Sequence, residues 1–162
     1  MVGAEVSART LVNTLTSRGL TLATAESLTA GLVAATIADV PGASATLQGG
    51  TIAYHSRVKH AVLGVEAELL AERGAVDEDV ALAMADGARR LYGADLGVAT
   101  TGVAGPEPHE GKPVGTVVVA ATADGAGQAR SLRLSGARAE IRAATVSASL
   151  ALLSELVDAL PR

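Results

Sequence analysis

Apolar positions along the chain recur with two periods, one helical and one extended. Val6, Leu11, Val12 and Leu15 stand among polar neighbours at helical spacing, which predicts a helix over 4–18 stopped at Gly19. Thr21 to Ala25 reads as a short strand, and 30–38 as a helix ended by Pro41 and Gly42. Gly49 and Gly50 precede a second strand, Thr51 to His55. Short helices over 56–63 and 66–73 are separated by Gly64, and Asp77 is placed to cap a longer helix over 78–92 that Gly93 closes. Leu96 to Thr101 reads as a buried strand, and 102–112 as a loop rich in Gly and Pro. Val114 to Ala123 is a strand whose hairpin partner, Gln128 to Leu134, lies across Asp124-Gly125. A last helix covers 138–157.

Strands alternating with helices predict a three-layer α/β/α sandwich with a mixed, mainly parallel sheet, the hairpin supplying its antiparallel part. The chain, 1–162, reads as one domain without repeat or linker. Apolar residues make up 49% of it, yet there are two Tyr and no Phe or Trp. The core therefore has to be filled by Ala, Val and Leu, and the stacking platform that single-stranded nucleic acid needs is missing. A net charge of −4 gives no general attraction to nucleic acid or anionic lipid. The absence of cysteine excludes disulfides, thiolate catalysis and cysteine-ligated zinc. Glu5 and Arg9 interrupt the N-terminal segment, so no signal peptide is expected, and no apolar run reaches the ~18 residues of a membrane span. A cytoplasmic protein is expected.

Four segments could carry chemistry. Ser27 lies at a strand-to-helix junction, where backbone amides and the helix dipole favour a developing oxyanion; it could equally be a plain N-cap. Lys59 follows the strand ending near Tyr54 and would serve as a base for a serine if desolvated, against the alternative of a solvated surface lysine. Thr101 and Gly102 end a buried strand in small residues, where a ligand could approach the backbone or where the chain merely turns. Arg138 and Arg142 share one helix face and could fork onto a phosphate, or be solvated and paired with a carboxylate. His55, His60 and His109 do not have metal-ligand spacing, and no metal is expected.

In order along the chain, these segments resemble the CinA C-terminal domain family. The matching stretches are Ala25-Glu26-Ser27-x-Thr29-x-Gly31, Gly50 through Tyr54 to Lys59, Leu63-Gly64-Val65, Gly74-Ala75-Val76, Thr101 to Pro106, Lys112 to Val117 and Gly136-x-Arg138. The resemblance implies an α/β/α fold and hydrolysis of the carboxamide of nicotinamide mononucleotide, without cofactor or metal. It implies Ser27 as nucleophile, Lys59 as general base and Tyr54 in the same proton network. Arg138 would hold the substrate's phosphate and the chain would form a homo-oligomer; Thr29, Ala30, Gly31, Thr101, Gly102 and Arg142 are taken as further substrate-binding candidates. The sequence departs from the family pattern at Leu28 and Ala30, where Cys and Gly are usual, at Ala137, and in 107–111, which is poor in Gly. Those departures keep open a catalytically silent nucleotide-binding or protein-interaction domain, or an amidase for a related amide.

Overall fold

Local signals start and stop most elements of the computed structural model, which describes residues 6–162. Ser7 accepts the Thr10 amide at 3.1 Å and opens α1 (Ala8–Arg18), and Gly19, at φ 64°, closes it in a left-handed turn. Residues 4 and 5, assigned to that helix from the sequence, lie outside the described residues. The chain continues through β1 (Leu22–Glu26), α2 (Leu32–Ala38), a 3-10 turn at Ala43–Ala45, β2 (Leu47–Ile52), α3 (Ser56–Ala61) and α4 (Ala67–Arg73). Asp77 caps α5 (Glu78–Leu91) through the amides of Asp79 and Val80, as its position predicts. After it come β3 (Leu96–Gly102), β4 (Thr116–Ala123), β5 (Ala126–Arg133) and α6 (Arg138–Ala159).

Two boundaries differ from expectation for steric reasons. The second strand begins at Leu47, four residues before Thr51, and takes in the Gly49-Gly50 pair. These glycines are ladder positions: a Cβ on Gly50 would lie 2.0 Å from Thr24 Oγ1. The helix expected over 30–38 begins only at Leu32, because Ala30 (φ 47°) and Gly31 (φ 101°) both sit in the left-handed region.

The strands are ordered β2-β1-β3-β4-β5. Strand β1 runs parallel to β2 and β3, whereas β3–β4 and β4–β5 are antiparallel. The sheet is thus evenly mixed rather than mainly parallel. No helix crosses over between β3 and β4, so the chain returns antiparallel, and the two-residue turn at 124–125 forces the next pairing to follow suit.

Alternation along the central strands separates two layers of core. Leu22, Leu96, Val98, Val117 and Val119 face α1, α2 and α6. Ala23, Ala25, Ala99, Val118 and Ala120 face α5, with Leu63 and Val65 packed alongside. The second face is built of small residues, so α5 comes close: a Cβ on Gly97 would stand 2.0 Å from the Ala85 carbonyl oxygen. Among the described residues no helix is long and apolar enough to cross a membrane.

Glu26, 1% exposed, ends β1 and substitutes for a side-chain cap on α2, whose N-cap is Gly31. Its carboxylate accepts the amides of Val33 (2.8 Å) and Ala34 (3.1 Å) and the Thr29 hydroxyl (2.7 Å). Negative charge at this end also interacts favourably with the positive end of the helix dipole. Glu26→Ala leaves the buried Val33 amide and the half-buried Ala34 amide unmatched, while Thr29 keeps Thr100, and is expected to lower the unfolding free energy by about 2 kcal/mol, measured by urea denaturation, with a smaller loss for Glu26→Gln.

Candidate active site

Three parallel strands deliver the candidate residues to one edge of the sheet. Ser27 leaves the carboxyl end of β1, Tyr54 and Lys59 follow that of β2, and Thr101 and Gly102 end β3. The Ser27 amide donates to the Thr100 carbonyl at 3.0 Å, extending the β1–β3 ladder by one residue and fixing where the hydroxyl emerges.

His55 accepts the Arg57 amide at 3.2 Å through Nδ1 and starts α3. Lys59 projects inward from that helix and is only 1% exposed. Its Nζ lies 2.9 Å from Ser27 Oγ, 2.7 Å from the Ala53 carbonyl and 3.4 Å from the Tyr54 carbonyl. The protonated amine donates to all three oxygens; loss of one proton leaves two N–H groups for the carbonyls and a lone pair directed at the serine hydroxyl. Burial lowers the Lys59 pKa from 10.5 to about 8, against a smaller opposing pull from the negative charge of Glu110.

Ser27 and Lys59 open into a cavity of about 560 Å³ that Thr101, Gly105, Glu110 and Arg138 also line. Arg138 donates to the Tyr54 hydroxyl at 2.9 Å and to the Gly105 carbonyl. Tyr54 therefore enters the site in two ways. Its carbonyl belongs to the Ser27–Lys59 network, while its ring is 57% exposed and its hydroxyl serves Arg138. Tyr54, expected in the proton network, meets it through its main-chain carbonyl, and its hydroxyl is engaged with Arg138 instead. The Thr101 hydroxyl donates to the Ala75 carbonyl at 2.7 Å from its buried place in the cavity wall. Gly102 lines the cavity as backbone, since a Cβ there would lie 2.7 Å from the Thr116 carbonyl oxygen.

Thr29, Ala30, Gly31 and Arg142 do not line this cavity. Thr29 bonds Glu26 and Thr100 (2.8 Å) beneath the turn. Arg142 donates to the carbonyls of Leu28 (2.9 Å) and Thr29 (3.1 Å). Arg138 and Arg142 thus share a helix face but not a task, because the first reaches the cavity and the second pins the turn after Ser27. A phosphate fork formed by both is not what the structure arranges.

Glu110, with Ala75 and Val76 of the Gly74–Asp77 turn, belongs to the site's wall, and these residues were missed from sequence. The carboxylates come from separate segments and form no local pattern; the family-like Gly74-Ala75-Val76 stretch was the available signal. A second depression of about 600 Å³ beside β5 is lined by Arg73, Asp77, Asp79 and Lys112. It contains neither Ser27 nor Lys59, and the Arg73 and aspartate charges there pair with each other. Among the described residues no three His, Asp or Glu side chains stand where they could hold a metal ion.

Comparison with known proteins returns a single architecture. A family model described as the CinA C-terminal domain matches residues 4–157. A CinA-like protein of Frankia casuarinae is 48% identical over 147 residues, 91% of this chain and 34% of its own length. A CinA-like protein of Geobacter sulfurreducens is 50% identical over 135 residues, 82% of this chain and 32% of its own. The chain spans about a third of the length of these curated relatives. Among solved structures, the competence/damage inducible protein CihA of Agrobacterium tumefaciens superposes with a TM-score of 0.89 at 39% identity, covering 92% of each chain. A CinA superfamily protein of Klebsiella pneumoniae gives 0.91 at 34% identity, covering 94% of this chain and 96% of its own.

Burying the Lys59 amine carries a stability cost with a definite pH signature. Its folded pKa lies below its unfolded one, so the unfolded chain binds more protons between pH 8 and 10.5 and this contribution rises with pH across that window. The drop from 10.5 to about 8 corresponds, at about 1.4 kcal/mol per pH unit, to about 3 kcal/mol, all of it a penalty at pH 7. Lys59→Met is expected to be more stable than wild type at pH 7 and to lose that advantage by pH 10.5, as followed by denaturant unfolding at each pH.

Proposed function

The chain belongs to the CinA C-terminal domain family, and we propose that it hydrolyses the carboxamide of nicotinamide mononucleotide to nicotinic acid mononucleotide and ammonia. The observation that carries this reading is the 2.9 Å contact between a buried lysine amine and a serine hydroxyl inside a cavity large enough for a nucleotide. A lysine held near pKa 8 is a competent base at neutral pH, where roughly a tenth of it is unprotonated.

The steps follow from the arrangement. Neutral Lys59 takes the Ser27 proton as Oγ bonds to the carboxamide carbon. The amides of Leu28 and Thr29, which follow the nucleophile and have no acceptor among the described residues, are the nearest donors in sequence for the oxyanion. Protonated Lys59 then gives its proton to the departing nitrogen, the C–N bond breaks, and ammonia leaves an acyl ester on Ser27. Water attacks that ester, Lys59 takes the water's proton and returns it to Oγ, and the free acid is released. The Arg138 guanidinium in the cavity wall is the natural partner for the phosphate. Ala30, the residue that motivates a silent binding domain, does not line the cavity and so does not obstruct it.

Ammonia release from the mononucleotide tests the reading. Ser27→Ala and Lys59→Ala are each expected to lower kcat/KM by about 10³ or more, and activity equal to wild type in Ser27→Ala removes the serine mechanism. Because the base works unprotonated, kcat/KM is expected to rise with pH to a half-maximum near 8 and then level. Arg138→Ala is expected to raise KM about tenfold or more for the mononucleotide and to leave that for the dephosphorylated nucleoside unchanged. Ligand binding with no turnover of any amide tried favours the silent domain.

A further inference from the structure

The loop between β3 and β4 departs from the family pattern, yet it is bolted to the site. Glu110 holds φ 48°, a conformation that costs a residue with a side chain about 1 kcal/mol. It lies in a tight turn closed by the His109 amide on the Lys112 carbonyl (3.1 Å) and the Lys112 amide on the His109 carbonyl (2.9 Å). That strained turn folds the Glu110 side chain back into the cavity wall, where Oε2 accepts the Ala75 amide at 2.9 Å. The other face of residue 75 holds the site: its carbonyl takes the Thr101 hydroxyl at 2.7 Å. Lys112, from the same turn, donates Nζ to the neighbouring Val76 carbonyl. A Cβ on Gly74 would stand 2.8 Å from Glu110 Oε2, so the Gly74–Asp77 turn accommodates this carboxylate through the absence of a side chain.

We propose that Glu110 is a positioning residue of the active site, whose carboxylate clamps the 103–115 loop to the Gly74–Asp77 turn and through the Ala75 peptide fixes the Thr101 hydroxyl in the cavity wall. The proposal deepens the deamidase reading and rests on it for the role of Thr101 and Lys59 in turnover. The same carboxylate has a second effect, on Lys59. Other charged or titratable groups line the same cavity: His55 at the start of its own helix, Glu107 and His109 from the loop, and Arg138 from α6; Asp77, before α5, and Glu26, from β1, belong to neighbouring segments but do not line it. Glu26 is turned to the amides of α2, Asp77 to those of α5, and Arg138 to Tyr54 and Gly105. Glu110 is the group whose charge opposes the burial of the amine and favours its protonated form.

The chain has two lysines, 59 and 112, which makes a direct test practical. Carbon-13 lysine NMR would follow both side chains from pH 6 to 11 in wild type, Glu110→Gln and Glu110→Ala, with Lys59→Met as the assignment control. Amide exchange at Ala75 would be read alongside, as would kcat/KM for ammonia release over the same pH range. Glutamine keeps an acceptor for Ala75 and removes the charge. It is expected to retain exchange protection while moving the Lys59 midpoint and the kinetic half-maximum together to lower pH. Alanine removes both functions and is expected to lose at least tenfold of the Ala75 protection and most of kcat, with little change in KM. Lys59 titrations that superimpose in wild type and Glu110→Gln, or equal Ala75 protection in wild type and Glu110→Ala, overturn the proposal. Titration and exchange need no substrate. A protein that leaves the mononucleotide intact therefore removes the deamidase reading and still leaves Glu110 judged.

Discussion

A lysine amine carried out of water and set against a serine hydroxyl governs how the rest of the molecule is arranged. Ammonium groups resist burial because the interior replaces strong hydration with weaker partners, and the opposing cost here is about 3 kcal/mol at neutral pH. That is a sizeable share of the stability of a domain this long. The cost is offset by packing on both faces of the sheet, where Ala and Gly let α5 sit against β3 at backbone distance. The Ala53 and Tyr54 carbonyls lie at the end of β2, so the same backbone that delivers Lys59 also directs its lone pair.

The serine side of the pair is held by a different device. The turn from Ser27 to Gly31 contains two successive left-handed residues and is closed by the Ala30 amide on the Ser27 carbonyl (3.1 Å) and the Leu32 amide on the Thr29 carbonyl (3.0 Å). It is gripped from beneath by Glu26 and Thr29, which bond α2 and β3, and from the side by Arg142, which takes the carbonyls of Leu28 and Thr29. With those carbonyls occupied, the peptides that follow the nucleophile have settled orientations. Three residues that sequence reasoning assigned to the substrate, Thr29, Gly31 and Arg142, are part of this support. Alignment-like patterning does not separate the two roles, because a residue that fixes the nucleophile's turn and one that touches the ligand lie equally close to the serine in sequence.

Sequence pattern gave the element types well, since helix periodicity, Asp77 as a cap and the Asp124-Gly125 turn are local signals. It misread the places where tertiary contact outweighs local chemistry. The Gly49-Gly50 pair looks like a break, but the glycines are required inside the strand because Thr24 and Tyr92 fill the space a side chain would need. Ala30 looks like a helix former, yet the closing of the Ser27 turn places it at positive φ. Ser27, Tyr54, Lys59, Thr101 and Arg138 were legible as an ordered set, and the meeting of Ser27 with Lys59 was expected from the resemblance; the strand order that produces it was not legible, because it is set by tertiary pairing. Glu110 was legible only as a departure, since its partner, the Ala75 amide, is 35 residues away and invisible to any local window.

The reversal of the sheet after β3 explains why one edge holds everything. Had β4 continued parallel, the chain leaving Gly102 would have crossed to the opposite edge through a helix, carrying residues 103–115 away from Ser27. Because β4 instead runs back beside β3, from Gly102↔Val117 to Gly97↔Thr122, the whole connection remains at the carboxyl ends of β1, β2 and β3. A short loop confined there must pass over the cavity, and its polar side chains have to find partners in the neighbouring Gly74–Asp77 turn. Glu110 and Lys112 do so as acceptor and donor on consecutive residues, Ala75 and Val76. The antiparallel half of the sheet, which plays no part in holding the nucleophile or its base, is thus what closes the wall of the site around them.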